Sequence, residues 1–458
     1  MRRALTSIGM LLVLLASPVY AQQSAGDARE LIALVAAEQQ HIRDLEAELQ
    51  RRSAVLADIS ERLSRIQPAG TVASAPAAAP PPAAVVAPAP DARPAMQVYG
   101  DILTRLSTLH QDYEGCVDCP HRTIGRFRLR LGVQSELPMG FQASMGIASG
   151  ELNDPNSVYQ TFGGNLSRKV VSWDRAFITY RPRRASWLEL SAGKFAYPWT
   201  RSSMTFDVDF YPEGASERTS FTFRNGPLKR ITAQAFQVVV NEQASGPDMR
   251  VLGGQASGTL QIGRLSTRMV TTAMTITQPE LLLRSQLLGA NVGVRNTNVI
   301  IGTGASARYA SQFRYLNVMA ENTLPTGRAA WPLTITAEWQ RNLGAVGPDH
   351  TGWSLRADTG RNQRPGDWQL GYHFFRVGQE AILSGLGESD WRGPSNVLQQ
   401  RIFAARTLHP QVQALVTWYR GRTLDTGAPG ALLAPGLTAG MPDPWTNRWY
   451  FDMAYRFK

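Results

Sequence analysis

The chain has little of what enzymes and helical membrane proteins depend on. It contains only two cysteines and six histidines in 458 residues, and it shows no P-loop, nucleophile elbow or zinc-protease motif. After the N-terminus no apolar run suits a membrane-spanning helix, which needs about 20 consecutive apolar residues. The sequence therefore predicts no catalytic residue, no metal site and no cofactor, and we expect that the protein is not an enzyme.

Residues 1–21 have the three parts of a secretory signal peptide. Met1-Arg2-Arg3 is a short positive region, Leu5–Val19 is uncharged and apolar, and Val19-Tyr20-Ala21 places small residues where cleavage needs them. We expect cleavage after Ala21. An uncleaved membrane anchor is the alternative, although the apolar segment is short for one. Export separates the chain from nucleic acid, so its net charge of +11 needs another explanation.

Residues 22–66 carry a seven-residue repeat that is typical of a coiled coil. All a positions from Ala28 to Leu63 are apolar, and so are most d positions from Leu31 to Ile66. Such a seam needs a partner helix, so we expect a periplasmic helix that self-associates; a helix docked on a globular core is the alternative. Residues 67–96 are almost all Ala, Pro and Val, the composition of an extended linker.

From residue 97 to residue 458 the hydrophobic period changes to two. The last strand shows it best, because Trp449, Phe451, Met453 and Tyr455 alternate with polar or small residues. This alternation predicts an all-β transmembrane antiparallel β-barrel, with apolar side chains toward lipid and polar ones toward water. Short and long connections alternate along the chain. Sixteen strands result if 278–306 is one long loop, and eighteen if 292–304 adds a hairpin.

Strand parity directs a set of charged side chains into the lumen. The charges of residues 1–94 cancel, so the positive excess belongs to the barrel. A row of arginines raises the local concentration of anions through its field. The alternative, which can hold at the same time, is that these arginines pair with inward carboxylates or with a folded-in loop. The predicted pore-lining residues are Arg126, Arg128, Arg130, Arg175, Glu189, Glu338, Arg356, Asp358, Asp452 and Arg456.

The two cysteines, Cys116 and Cys119, form a Cys-x-x-Cys pair. In an exported protein a disulfide that closes a small loop is the favoured interpretation. A redox-active pair is an alternative. A zinc site would need two further ligands, for which His110 and His121 are the candidates, and spacing alone supports that only weakly.

Several motifs resemble a known family, the bacterial "putative porin" family of outer-membrane barrels. They occur in the family's order over the barrel region: Arg126-Phe-Arg-Leu-Arg-Leu-Gly132, Trp173-Asp-Arg-Ala-Phe177 with Tyr180-Arg-Pro182, Ala192-Gly-Lys194, Tyr211-Pro-Glu-Gly214, Gly366-Asp-Trp-Gln-Leu-Gly-Tyr372 with Phe375-Arg376, and Tyr455-Arg-Phe457. The family is similar to general porins in its role, and its solutes are mostly unassigned.

The resemblance implies further features. In sixteen-stranded porins the third long loop folds into the lumen and sets the pore size. The corresponding segment here is 195–217, with constriction-loop residues Arg201, Asp207, Asp209 and Glu213; a loop that caps the outside of the barrel is the alternative. Trimers are usual among general porins, so the resemblance implies a homotrimer. The barrel-assembly machinery is expected to read the C-terminal strand, where Lys458 follows the aromatic Phe457 that usually ends such chains.

The sequence thus predicts a porin in the outer membrane, with its N-terminal stalk in the periplasm. The expected activity is passive diffusion of small hydrophilic solutes with a mild anion preference. One alternative is a structural envelope protein whose coiled coil tethers the outer membrane to the cell wall. Another is a substrate-specific channel, for example for phosphate or organic acids. The expected partners are membrane lipids, other copies of the chain, the assembly machinery and the cell wall, but no nucleic acid.

Overall fold

The computed structural model describes residues 96–111, 121–152, 154–287 and 295–457, which all lie in one structural unit, Ala89–Lys458. The signal peptide, the coiled-coil helix, the linker up to residue 95 and the Cys116–Cys119 disulfide lie outside these residues and stay predictions. Within the described part, none of the helices has the length and apolarity to cross a membrane.

Sixteen long strands form the wall. In chain order they are β1 Met96–His110, β2 His121–Glu136, β3 Phe141–Ser149, β4 Val171–Tyr180, β5 Leu188–Lys194, β6 Glu213–Thr222, β7 Leu228–Asn241, β8 Met249–Ile262, β9 Leu265–Thr277, β10 Phe313–Leu324, β11 Leu333–Asn342, β12 Thr351–Gly360, β13 Trp368–Val377, β14 Val397–His409, β15 Val412–Thr423 and β16 Thr446–Phe457.

The sheet closes on itself. Each strand pairs antiparallel with its neighbours in the chain, and β16 pairs with β1 in continuous register from Gly100 opposite Phe457 to His110 opposite Asn447. Closure pairs the backbone groups of the edge strands, which a lipid environment would leave without partners. The prediction of a closed sixteen-stranded antiparallel barrel is therefore confirmed.

The eighteen-stranded alternative is wrong. The connection between β9 and β10 contains a short helix, α1 Glu280–Leu287, and two-residue strands at Ile300–Ile301 and Arg308–Tyr309. These two strands pair only with each other and form a separate small sheet. A further two-residue strand, Gln160–Thr161, pairs with β2 beyond the end of β3 and adds no strand to the closed ring.

Short connections lie at the end of the barrel that holds both chain ends of the described wall, and long connections lie at the other end. Two of the short connections have only two residues, one between β8 and β9 and one between β14 and β15. In the first, Gly263 has a φ of 56°; the commonest two-residue hairpin turns require a positive φ, which glycine adopts without steric cost. The alternation of short and long connections agrees with the predicted parity, and it directs the long loops toward one mouth.

Side chains alternate in environment along the wall. On β16, Trp449, Phe451, Met453 and Tyr455 are 39–46% exposed, while Tyr450 between them is 1% exposed. A belt of exposed apolar side chains suits contact with lipid. The polar or small residues between them face the interior.

The 195–212 loop, between β5 and β6, and the 378–396 loop, between β13 and β14, fold into the barrel as its two inward loops. They contribute buried apolar side chains to one interior cluster with inward residues of the wall, and the connection between β9 and β10 adds Leu282, Leu283, Ala307 and Tyr309 to it. Trp199 of the first loop stacks on Phe236 of β7 at 4.1 Å, and Trp391 of the second lies 4.6 Å from Phe375 of β13. Sequence reasoning predicted the first inward loop and missed the second.

Candidate solute pathway

Strands β16, β1 and β2 present rows of arginine to the interior, because directly opposed residues lie on the same face of a sheet. Arg105 of β1 is opposite Asp452 of β16 and opposite Arg126 of β2. Further rows continue this pattern toward both ends of the barrel. We call the following residues the basic wall: Arg105, Arg122, Arg126, Arg128, Arg130 and Arg448.

Carboxylates of the two inward loops face this wall. We call them the acidic edge: Asp207 and Asp209 of the 195–212 loop, and Glu388 and Asp390 of the 378–396 loop. Together with residues of the basic wall they line a cavity of about 380 Å³. The cavity is therefore lined by cationic side chains of the basic wall and by carboxyl groups of the inward loops.

Asp207 locks the two loops to each other. Its backbone N–H donates to the carbonyl of Leu386 at 2.9 Å, and its carboxylate accepts the N–H of Ser389 at 2.7 Å and that of Asp209 at 2.8 Å. The side chain is fully buried. Buried backbone donors that find a charged acceptor make strong hydrogen bonds, so the acidic edge is a joint product of both loops.

The wall itself anchors the 195–212 loop. Gln255 of β8 accepts the N–H of Thr200 and donates to its carbonyl, both at 2.9 Å. The Arg201 guanidinium turns back to the carbonyl of Phe206 at 2.6 Å. Glu213 is the first residue of β6 and pairs with Lys194 at 2.7 Å, and these two residues line a second cavity that Asp209 also borders.

Inward amides of β11 anchor the 378–396 loop. Gln340 donates to the carbonyl of Ala381 at 3.1 Å, and Asn342 donates to the carbonyl of Glu380 at 2.8 Å. Both amide side chains are almost fully buried. Such bonds satisfy loop carbonyls that would otherwise lose their water on entering the barrel.

Three arginines of the basic wall are neutralised by carboxylates. Arg105 makes a two-bond contact with Asp452 at 2.8 and 2.9 Å. Arg128 lies 2.8 Å from Asp101 of β1, and Arg130 lies 2.9 Å from Asp209 of the acidic edge. These three arginines therefore pair with inward carboxylates or with a folded-in loop, as the alternative stated from the sequence expects.

Arg105 is also held between two aromatic rings. Its guanidinium carbon lies 4.2 Å from the ring centre of Tyr159 and 4.0 Å from that of Tyr450. Cation–π contacts of this kind stabilise a desolvated cation. Burial raises the pKa of Tyr159, which belongs to the connection between β3 and β4, to about 12, so this ring stays a neutral phenol at physiological pH.

The other three arginines of the basic wall, Arg122, Arg126 and Arg448, have no carboxylate within 4.0 Å in the described part of the chain. Arg126 makes no ion pair within 4.0 Å there, and its buried Nε has no hydrogen-bond partner. Arg448 donates only to neutral oxygens, the carbonyl of Asp390 at 2.9 Å and the hydroxyl of Tyr450 at 3.2 Å. These arginines border the 380 Å³ cavity, whose lining also includes six carboxyl groups, the four of the acidic edge together with Glu151 and Asp154. The guanidinium groups thus share the cavity with carboxyl groups that they do not contact.

The acidic edge holds its carboxyl groups at perturbed pKa values. Burial, together with the neighbouring Glu388 and Asp209 carboxyls, raises the pKa of Asp207 well above its usual range. Burial and the charge of Asp390 raise the pKa of Glu388 to about 7. Because like charges in a confined site disfavour ionisation, the net charge of this edge changes near neutral pH.

The other predicted pore-lining residues take part in local pairs. Arg175 lies 3.6 Å from Asp174, and Glu189 accepts from Arg181 and Arg218. A second cluster on β11 and β12 joins Glu338 to Arg356 at 3.5 Å, and Asp358 accepts from His373 at 2.9 Å. Arg456 lies exposed in the last rows of β16. Their role in lining an open pore stays a prediction.

Sequence reasoning missed several residues of the pathway. Arg105 and Asp101 follow the same alternation on β1 as the predicted residues do on β2, so parity would have found them. Glu388 and Asp390 lie in a loop without periodic pattern, and only the inward aromatic Phe375 on β13 hinted at a packed loop. In the described ranges no three His, Cys, Asp or Glu side chains cluster as metal ligands would.

Known proteins resemble the chain in sequence and in fold. A model of the family described as putative porin matches residues 118–266. Among solved structures, an anion-selective porin from Comamonas acidovorans is similar at 12% identity and a TM-score of 0.46, covering 80% of this chain and 100% of that one.

Two further structures align over a similar share of the chain. The OmpF of Salmonella typhi, solved with daunomycin, aligns at 8% identity and a TM-score of 0.45, over 79% of this chain and 97% of that one. OmpT of Vibrio cholerae gives 8% identity and 0.44, over the same shares. No curated protein sequence matches the chain. The family match confirms the resemblance seen in the motifs: over residues 118–266 the chain matches the putative porin family.

Proposed function

We propose that the protein is an outer-membrane porin, a passive diffusion channel for small hydrophilic solutes with a mild preference for anions. The observation that carries the proposal is the charge-lined passage inside the barrel. It is lined by the basic wall and the acidic edge, and it borders Arg126 and Arg448, which lack carboxylate partners. Arginines that contact no carboxylate and lie beside a narrow passage raise the local concentration of anions.

The inward loops support a size limit on the solute. A sixteen-stranded barrel is wide enough for an aqueous channel when its interior is empty. Here the buried residues of the 195–212 and 378–396 loops lie in that interior. A channel of this kind passes ions and small polar molecules and excludes larger ones. Diffusion requires no catalytic group, so this function is that of a channel and not of an enzyme.

Planar-bilayer recordings of the purified protein test the proposal. Under a gradient of potassium chloride, the reversal potential should indicate preferential passage of chloride. Conductance that is selective for potassium would contradict the anion preference. A protein that inserts and yet conducts no current would contradict the channel itself.

The heptad pattern of residues 22–66 favours an additional structural role. A coiled coil in the periplasm would join copies of the chain, for which we propose a homotrimer, and would reach toward the cell wall. Deleting residues 22–94 separates the two roles. If the envelope weakens while conductance persists, the segment serves as a tether; if trimers dissociate in cross-linking experiments, it serves assembly.

A further inference from the structure

The cavity between the basic wall and the acidic edge contains buried charged groups that the fold itself does not satisfy. Arg126 has no carboxylate within ion-pair distance in the described chain, although its neighbours Arg105 and Arg128 each have one. Leaving a buried charge without a partner is unfavourable. Because guanidinium groups bind carboxylates strongly, an arginine at this cavity without a contacting carboxylate can receive one from a solute.

Across the cavity, Glu388 is the matching open group of opposite sign. It is only 8% exposed, it borders the cavity, and its carboxyl accepts no hydrogen bond from another described residue. Other acidic-edge residues are engaged, since Asp207 accepts two backbone N–H groups and Asp209 pairs with Arg130. Asp390 accepts the hydroxyl of Tyr450 at 2.8 Å.

From these open groups we infer that the cavity is a binding subsite for small zwitterionic solutes of the α-amino-acid class. The solute carboxylate would be held by Arg126 and Arg448, and its ammonium group by Glu388 and the field of the acidic edge. This inference rests on the proposed channel function and gives it a solute class. It makes the cavity a stage in permeation at which the solute is oriented.

The arrangement of charges should bind a zwitterion more tightly than a solute with a single charge. A simple anion would meet Arg126 but also the carboxyl groups of the acidic edge, and a simple cation would meet the basic wall. A solute that carries both charges satisfies both sides, as charged groups prefer complementary potentials. An uncharged polyol would pass without a strong interaction on either side.

Uptake of radiolabelled L-alanine into proteoliposomes that contain the full-length protein tests this inference. We expect alanine uptake to saturate with concentration, whereas glycerol, which is uncharged and similar in size, should enter in linear proportion. Unlabelled glycine should compete at least about tenfold better than acetate or methylammonium, because each of these lacks one of two charge-assisted contacts.

Two substitutions with a matched control assign the subsite. Arg126→Gln and Glu388→Gln should each raise the half-saturation concentration for alanine by at least about tenfold, the effect of losing one charge-assisted contact. Arg230→Gln is the control: it removes an equal charge from β7, where the guanidinium donates to Ser220 at 2.8 Å and lies outside the cavity lining. It should leave half-saturation within about twofold, which is below the effect of one such contact.

Other outcomes would overturn the inference. Linear alanine uptake, equal competition by acetate and glycine, or equal half-saturation in all three variants would each exclude a zwitterion subsite. Potassium chloride conductance, recorded on the same preparations, separates the two proposals. If conductance is present and alanine uptake is linear, only the subsite fails; if conductance is absent, the channel fails.

Discussion

The Glu388 carboxyl should make ion selectivity depend on pH near neutrality. Its pKa is raised to about 7 by burial and by Asp390, so it is mostly neutral at pH 6 and mostly ionised at pH 8. The charged groups around it are Asp390, Asp209, Arg201 and Arg401, and burial and the charge of Glu388 raise the pKa of the neighbouring Asp207 carboxyl. We therefore expect the preference for anions to be stronger at pH 6 than at pH 8.

Coulomb's law sets the size of this effect. A unit charge at roughly 10 Å from a permeating ion contributes about 0.4 kcal/mol at the dielectric constant of water and about 1.7 kcal/mol at an effective value of 20. These energies correspond to changes in the permeability of the ion of roughly twofold and roughly 17-fold. Salt screens the interaction, so the change should be larger in dilute than in concentrated potassium chloride.

Ionisation of Glu388 should also lower the stability of the folded 378–396 loop. A carboxyl whose pKa is higher in the folded state binds more protons there, so stability falls as pH rises from its ordinary value of 4.5 toward 7. Over this window the loss amounts to roughly 3 kcal/mol, at about 1.4 kcal/mol for each pH unit. Below pH 4.5 the inward position of the 378–396 loop should be most stable, and above pH 7 the penalty is constant.

Reversal potentials at pH 6, 7 and 8 measure the effect, and Glu388→Gln isolates its source. The variant should be independent of pH and should retain the selectivity that the natural protein has at pH 6. Glu242→Gln, which removes an exposed carboxyl from the connection between β7 and β8, is the control and should titrate like the natural protein. The assignment of the pH dependence to Glu388 would be refuted if the reversal potential of the natural protein did not change with pH. It would also be refuted if Glu388→Gln kept a change in reversal potential centred near pH 7.

Three further predictions concern the loops and the seam of the barrel. Asp207→Ala removes the acceptor for two backbone donors, each worth about 1–3 kcal/mol when left unsatisfied, and single-channel records should show more frequent transitions as the loops separate; unchanged current noise would contradict this. Trp199→Ala should cost about 3–5 kcal/mol of local packing and increase conductance as the 195–212 loop loosens, which an unaltered conductance would disprove. Asp452→Asn leaves the buried Arg105 with only its longer contact to Asp390 at 3.8 Å and should lower barrel stability by about 3 kcal/mol in thermal unfolding followed by electrophoretic mobility. Arg181→Gln, at an exposed pair, should cost below about 1 kcal/mol; equal effects of the two substitutions would show that burial does not strengthen the Arg105–Asp452 pair.

Much of the wall was predictable from sequence because strand alternation is a local property. The period-two pattern on β2 and β16 fixes which side chains face inward wherever the strands pair, and the alternation of connection lengths gave the strand number. Connection lengths alone did not exclude the extra hairpin at 292–304. The short strand Ile300–Ile301 pairs with the short strand Arg308–Tyr309, and neither joins the wall.

The contents of the lumen were less predictable, because they depend on contacts between residues far apart in the chain. The carboxylate partners of Arg128 and Arg130 lie 27 and 79 residues away, and nothing local shows that Arg126 lacks one. The 378–396 loop reads as an ordinary long connection, and only the inward amides of Gln340 and Asn342 reveal, once the fold is known, why it turns inside. The residues that define the pathway were thus found in part by parity and in part only from tertiary structure.

The seam between β1 and β16 has a consequence for the order of events in biogenesis. Arg105 and Asp452 are 347 residues apart, so the first wall strand waits for the last to be synthesised and exported before its buried arginine acquires a partner. Until then both edges of the curved sheet are open, and unpaired edges invite pairing with other chains. Contacts of such large sequence separation form slowly. Closure of the barrel therefore depends on the arrival of the final strand. A chain truncated before residue 446 would retain fifteen of the sixteen wall strands and would lack the strand that pairs with β1.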